Sequence, residues 1–338
     1  MNVNLAVLGA GRIGKVHAQA IASNKHATLS AIADSFEEAA TALAQEHGAV
    51  VLSIEDIETA SDIDGVIICT PTHTHADLIE RFARAGKAIF CEKPIDLDLA
   101  RVRACLSIVD QTEAVLMVGF NRRFDPQFAA IQQSIADGQI GDVEMVSITS
   151  RDPGLASKEI LSWSGGLFKD MSIHDFDMAR FLLGEEPVSV SAHGSVLVDS
   201  IVAELNDIDS ASIILETKSG KQALISNSRR ATYGYDQRVE VHGSKGIAIA
   251  ENLRPVSIEI ANENGFTKPP LHHFFMTRYD QAYALEIDAF VSCITDKLPA
   301  SPSGYDGFAA LAVAEAANRS LKDQRRVSIA EVMESIDG

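Results

Sequence analysis

The sequence predicts an α/β protein: an N-terminal doubly wound parallel sheet, then an α+β domain with a large, open, mainly antiparallel sheet. Two observations carry this reading. Short apolar segments alternate with helical patterns as far as Gly119, and strand–helix–strand units of that kind stack into a parallel sheet. From about residue 188, strand-like segments follow one another without helices between them, which pairs neighbours antiparallel. A length of 338 residues suits two domains. The change of pattern divides them into residues 1–122 and 123–338, with Val327–Ile329 expected to return to the first domain.

The first strand, Val3 to Leu8, runs into Gly9-Ala10-Gly11-Arg12-Ile13-Gly14 and then a helical pattern to about Ser23. This is a G-x-G-x-x-G loop in its proper setting. Gly9, Gly11 and Gly14 permit a tight turn, close approach to a pyrophosphate and close helix–strand packing. The helix start at Arg12 and Ile13 offers amides and a positive dipole to the phosphates. A second strand, Thr28 to Ala33, ends in Asp34, 20 residues beyond Gly14, where an acid holds the ribose hydroxyls of a dinucleotide. The loop therefore predicts a Rossmann dinucleotide site. Ser35 follows Asp34 with no adjacent arginine; an acid there repels a 2′-phosphate, so NAD is expected rather than NADP. Ser35-Phe36-Glu37-Glu38 also reads as a capping box for the next helix.

The alternation continues. Strands are expected at Ala49–Leu52, Gly65–Cys69, Ala88–Cys91 and Val115–Gly119, with helices between them. Ligands of doubly wound sheets bind at the carboxyl ends of the strands. That singles out Thr70-Pro71-Thr72-His73-Thr74-His75 and Glu92-Lys93-Pro94, and from them Thr70, Pro71, His75, Glu92 and Lys93 as cofactor-side residues. Lys93 leaves a buried strand and precedes a proline that fixes the turn, as a positioned group would. His73 and His75 lack a companion Cys, Asp or Glu cluster, so no metal is expected.

In the second half, a helix follows Pro126, Val143 to Ser150 alternates as a half-buried strand, and a helix is expected over 170–183. Strands are expected near 188–198, 208–216, 221–228, 237–242, 246–250 and 256–261, then helices near 277–296 and 304–322. Gly165-Gly166 gives the 170–183 helix a flexible entry, and Asp170 suits its first position. Asp170 and His174 are four apart and share a face. A carboxylate beside an imidazole can orient the ring and stabilise its protonated form, as an acid/base pair requires.

Composition excludes other classes. Net charge is −18, which gives nucleic acid and anionic membranes little to pair with. No apolar run is long enough to span a bilayer, and the N-terminus lacks a signal-peptide pattern. Four cysteines without a C-x-x-C pair fit a reducing, cytoplasmic setting.

With Gly9–Gly14, Thr70–His75, Glu92-Lys93-Pro94 and Gly165–His174 in this order, the chain resembles the glucose-fructose oxidoreductase/inositol dehydrogenase/MocA family over essentially its whole length. Ser150-Arg151-Asp152-Pro153, Asp170–Asp177 and Tyr233–Glu240 most resemble its bacterial myo-inositol 2-dehydrogenases. The resemblance implies that Lys93 bonds the reacting hydroxyl, that His174 is the general base and that Asp170 supports it. It places Asp152 and Tyr235 at positions that contact the polyol. It also implies NAD-dependent oxidation of a small polyol or sugar, by a homotetramer joined through its open sheets. The alternatives are a scyllo-inositol or aldose 1-dehydrogenase of the same family and, from another class, a non-catalytic NAD-binding sensor, which the presence of both Lys93 and His174 disfavours.

Overall fold

The computed structural model describes residues 2–337. The chain forms two compact units, residues 1–124 with 281–311 and residues 125–280 with 312–338.

In the first unit, β1 (Val3–Leu8), α1 (Arg12–Ser23), β2 (Ala27–Ala33), α2 (Glu37–His47), β3 (Val50–Val51), α3 (Ile54–Thr59), β4 (Gly65–Ile68), α4 (His75–Arg84), β5 (Ala88–Cys91), α5 (Leu99–Thr112) and β6 (Leu116–Val118) alternate as the sequence predicts. The strands pair in parallel in the order β3-β2-β1-β4-β5-β6, the arrangement of a Rossmann sheet. Every residue of β4 and β5 is buried, because helices cover both faces of such a sheet. The order reverses between β1 and β4, so the loops after those two strands flank the switch point where ligands bind. The capping box does not form: Phe36 precedes α2 without a side-chain cap, and Asp34 accepts the Phe36 N–H instead, at 2.8 Å.

The second unit begins with α6 (Pro126–Ala136), β7 (Val143–Arg151), α7 (Lys158–Trp163), α8 (Gly166–Asp170), α9 (Ser172–Leu183), β8 (Pro187–Ser195) and α10 (Ile201–Glu204). It continues with β9 (Ser210–Thr217), β10 (Gln222–Ser228), β11 (Asp236–Gly243), β12 (Gly246–Ala250), β13 (Ile260–Asn262), β14 (Gly265–Thr267) and α11 (Phe275–Arg278). The last elements are α12 (Asp280–Thr295) and α13 (Gly304–Asp323), then β15 (Val327–Ser328) and α14 (Ile329–Asp337).

Seven strands form one sheet in the order β12-β11-β7-β10-β9-β8-β15. All neighbours are antiparallel except β7 and β10, which run parallel. The strands alternate in burial. Val146, Ile148, Ile213, Leu215, Ala223, Ile225, Val239 and Val241 form the inner face, on which α9 packs. Met145, Ile214, Leu224, Ile247 and Ile249 stand exposed on the other.

Three expectations need correction. Val327–Ser328 pairs with β8 and stays with the second unit; it is residues 281–311, most of α12 and the start of α13, that join the first. The strand expected at 256–261 is only β13, paired with β14 in a separate ribbon. Asp170 does not start the 172–183 helix. It ends α8, and Met171 turns directly into α9 without a side-chain cap.

Candidate active site

The cofactor side is built on the first unit. Gly9 has φ +102°, and a Cβ there would lie 2.7 Å from the Cys69 carbonyl oxygen. At Gly14 a Cβ would fall 1.9 Å from the Gly9 carbonyl oxygen, whereas at Gly11 it would meet nothing within 4 Å. The first and third glycines thus close the turn against β4 and α1, and the second leaves open backbone where a pyrophosphate fits. Arg12 and Ile13 open α1 behind it. Asp34 follows β2 and accepts the Ala10 N–H at 2.6 Å, joining the glycine loop to the end of β2. Its half-exposed carboxylate suits a ribose diol. These residues fit a dinucleotide.

The two catalytic-side loops of this unit are tied together. His75, fully buried, places one ring nitrogen 2.8 Å from the Pro94 carbonyl oxygen and the other 2.7 Å from that of Thr70. Burial holds its pKa below the ordinary value, against the pull of those two carbonyls. His75, expected as a cofactor-side residue, thus braces the loop after β4 against the Glu92-Lys93-Pro94 turn through its ring. Thr70 bonds Thr74, hydroxyl to hydroxyl, at 2.7 Å, and Pro71 is exposed. Lys93 follows β5, half-buried, and its bond to Pro94 is cis.

In the second unit, Gly165 and Gly166 both adopt positive φ, +84° and +83°, which lets the chain turn sharply into α8. Along Met171–Arg180 every residue is buried except His174, which is half-buried. The helix thus buries its surroundings and leaves the imidazole partly open. Asp170 lies against Arg229, a buried residue that immediately follows β10 and donates through both Nη atoms to Asp170 Oδ2 at 3.1 Å. Beneath α9, Asn227 accepts from the Ser172 hydroxyl at 2.7 Å and donates to Asp175 at 2.8 Å.

Asp152 follows β7, half-buried, with its amide on the Ser228 carbonyl at 2.9 Å. Tyr235 is buried just before β11, edge-on to Phe274 and Tyr279, and its amide donates to the His272 carbonyl at 2.9 Å. Asp152 and Asp170 therefore follow or face neighbouring strands, since Ser228 and Arg151 pair across β10 and β7.

Sequence reasoning missed Arg229, because 59 residues separate it from Asp170 and no motif surrounds it. It also passed over His17, although a histidine at i+4 from Ile13 and i−4 from Ile21 sits in the apolar stripe of α1. Among the described residues, one group of His and carboxylate side chains is close enough to hold a metal: His17, Glu92 and Glu286. Neither His73 nor His75 belongs to it.

A Rossmann unit with a glycine loop, an acid at the end of β2 and a lysine turn after β5 defines the class of nicotinamide-dependent dehydrogenases. Residues 3–120 match the oxidoreductase family's NAD-binding Rossmann fold, and residues 132–329 match its C-terminal alpha/beta domain. The chain belongs to the glucose-fructose oxidoreductase/inositol dehydrogenase/MocA family. It is 64% identical over 330 residues to the inositol 2-dehydrogenase of Rhizobium meliloti, covering 98% of this chain and 100% of that one. The crystal structure of a myo-inositol dehydrogenase from Corynebacterium glutamicum has a TM-score of 0.94 at 43% identity, covering 97% of this chain and 99% of that one. The scyllo-inositol dehydrogenase of Lactobacillus casei, solved with NAD(H) and scyllo-inositol bound, has a TM-score of 0.90 at 28% identity, covering 98% and 100%.

Proposed function

We propose that this protein is an NAD-dependent inositol 2-dehydrogenase that oxidises the C2 hydroxyl of myo-inositol to the ketone scyllo-inosose. The observation that carries the reading is 64% identity to a Rhizobium inositol 2-dehydrogenase across nearly the whole chain, with Lys93, Asp170 and His174 all in place. When bound, NAD supplies a hydride acceptor. Gly9, Gly11 and Gly14 with the amides at Arg12 and Ile13 hold its pyrophosphate. Asp34 holds its ribose, and Thr70, Pro71 and the Glu92-Lys93 turn border its nicotinamide.

The chain's own residues then manage the substrate proton. His174 removes the hydroxyl proton as general base through Nε2, because Nδ1 is buried while the residue as a whole is only half-buried. Asp170 orients that ring and supports its positive charge. Arg229 fixes Asp170 in turn. Lys93 stabilises negative charge developing on the oxygen. Asp152 and Tyr235 contact the remaining hydroxyls and choose the one to be oxidised.

The enzyme acts in inositol catabolism in the cytoplasm and assembles as a homotetramer. Four free, buried cysteines support the reducing setting, and no described helix is long and apolar enough to cross a membrane. The exposed apolar face of the seven-stranded sheet supports the assembly, because five large aliphatic side chains on an open sheet favour a cover. Initial rates of NAD and NADP reduction across a panel of inositols and aldoses test the reading. A preference for scyllo-inositol or for an aldose would replace the substrate and keep the catalytic set, whereas no reduction with any polyol would overturn the proposal.

A further inference from the structure

The end of β5 meets a stack of three titratable side chains, two of them fully buried, all within the first unit. His17 on α1 is fully buried and places Nε2 2.6 Å from Glu92 Oε1. On the far side, Glu286 on α12 lies with Oε1 4.0 Å from His17 Nδ1. Glu286 is 0% exposed, and neither its carboxylate oxygens nor His17 Nδ1 has a hydrogen-bond partner. The ring is gripped edgewise by Phe90 on β5 and Tyr283 on α12, at 5.0 and 5.6 Å between centroids. Glu92 is seated as closely: a Cβ on Gly119 would approach both its oxygens at 3.1–3.2 Å.

A buried carboxyl without a partner is costly, and hydrophobic replacements of such groups are often tolerated or stabilising. A purely structural role does not account for Glu286. Its position does: it faces the nitrogen of His17 opposite to the one that holds Glu92, and Glu92 directly precedes Lys93.

We propose that His17 and Glu286 are positioning residues for Lys93: Glu286 sets the state of the His17 ring so that Nε2–H is donated to Glu92, and Glu92 fixes the turn that carries the lysine. A proton on Glu286 faces Nδ1, which leaves the ring's other nitrogen to donate Nε2–H to Glu92. Burial, with the nearby charge of Glu92, raises the Glu286 carboxyl well above its usual range, in keeping with that geometry. The inference rests on the role assigned to Lys93.

The test compares His17→Leu, Glu286→Leu, Glu286→Gln and Lys93→Ala in the full-length enzyme, reading kcat, KM for myo-inositol, NAD affinity, melting temperature and metal content. His17→Leu and Glu286→Leu should lose about 10–100-fold in kcat, the usual size when a group that orients another is removed. NAD affinity should hold, and Glu286→Leu should melt at or above wild type. Glu286→Gln, whose amide can still face Nδ1 as a donor, should recover most of the lost turnover. Wild-type kcat in Glu286→Leu, a kcat loss that merely follows a loss of stability, or a stoichiometric divalent metal in the purified enzyme would each overturn the proposal. Lys93→Ala separates the two readings. If it is inactive while the stack variants are normal, only the positioning role fails; if it is active, the role of Lys93 itself fails.

Discussion

Arg229 donates through two nitrogens to one oxygen of Asp170, both at 3.1 Å, although Arg229 is buried and the Asp170 side chain keeps 30% of its surface. The carboxylate is thus held by a guanidinium from the buried side while part of its surface remains exposed. Replacing Arg229 with Met should free Asp170 and lower kcat more than it raises KM for the polyol. The stability loss should be smaller than the about 3–5 kcal/mol of a fully buried broken pair, because water reaches Asp170. Arg229→Lys keeps charge but loses the fork, so it should recover only part of the rate. Steady-state kinetics and denaturant melts on both variants check this; unchanged kcat in Arg229→Met would remove the residue from the site.

The glycine loop makes a steric demand. Ala at Gly14 would press its Cβ into the Gly9 carbonyl oxygen, which lies 1.9 Å from that position. The backbone must then shift, at roughly 1–3 kcal/mol, and the pyrophosphate seat shifts with it. Gly11→Ala meets no protein atom within 4 Å, so it should leave stability almost unchanged and weaken NAD alone. Melting curves with and without NAD distinguish the two outcomes, and equal destabilisation of both variants would contradict the assignment.

Cofactor choice should follow Asp34. Its carboxylate, already anchored to the Ala10 and Phe36 amides, should repel a 2′-phosphate. Asp34→Ala with Ser35→Arg should move the ratio of kcat/KM for NADP over NAD by at least about tenfold, some 1.4 kcal/mol. A wild-type enzyme that already used both equally would contradict the role of Asp34.

Much of this arrangement was legible in the sequence, and the reason is locality. The glycine loop, Asp34 and the lysine turn are each bounded by their own strand, so spacing alone places them at carboxyl ends. What escaped depended on contacts that spacing does not encode. Arg229 meets Asp170 only because β10 ends beside α8. The bracing role of His75 was hidden because one of its carbonyl partners, Pro94, lies 19 residues away along the chain. Asp170 looked like a cap because helices often start at Asp, whereas two successive positive-φ glycines begin the turn earlier and make it the end of α8. The parallel pairing of β7 with β10 was hidden for the same reason: strands that are not sequence neighbours leave no turn signal.

Stability should depend on pH through Glu286. Its carboxyl is raised in the folded protein, so the folded chain keeps a proton that the unfolded chain releases near pH 4.3. The unfolded state therefore binds fewer protons above that pH, and stability falls as pH rises toward the folded value. Glu286→Gln has no such titration. The melting temperature of the variant minus that of wild type should widen as pH rises above about 4.3, the unfolded carboxyl's value; a constant difference would mean that the carboxyl is not shifted.

The open sheet should be the assembly surface. Leu224 pairs with Ile214 and Ile249 lies on the same exposed face, so Leu224→Lys with Ile249→Lys should reduce the tetramer to smaller species in light scattering at micromolar concentration. A wild type that is monomeric there would contradict the proposal.

The most direct test is the initial rate of NADH formation from myo-inositol by the wild type and by His174→Ala, measured side by side. The wild type should reduce NAD, and the variant should be slower by on the order of 10²–10⁴, the usual size of general base catalysis, with NAD affinity unchanged. A variant that turns over myo-inositol at near the wild-type rate would contradict the assignment of His174 as the base.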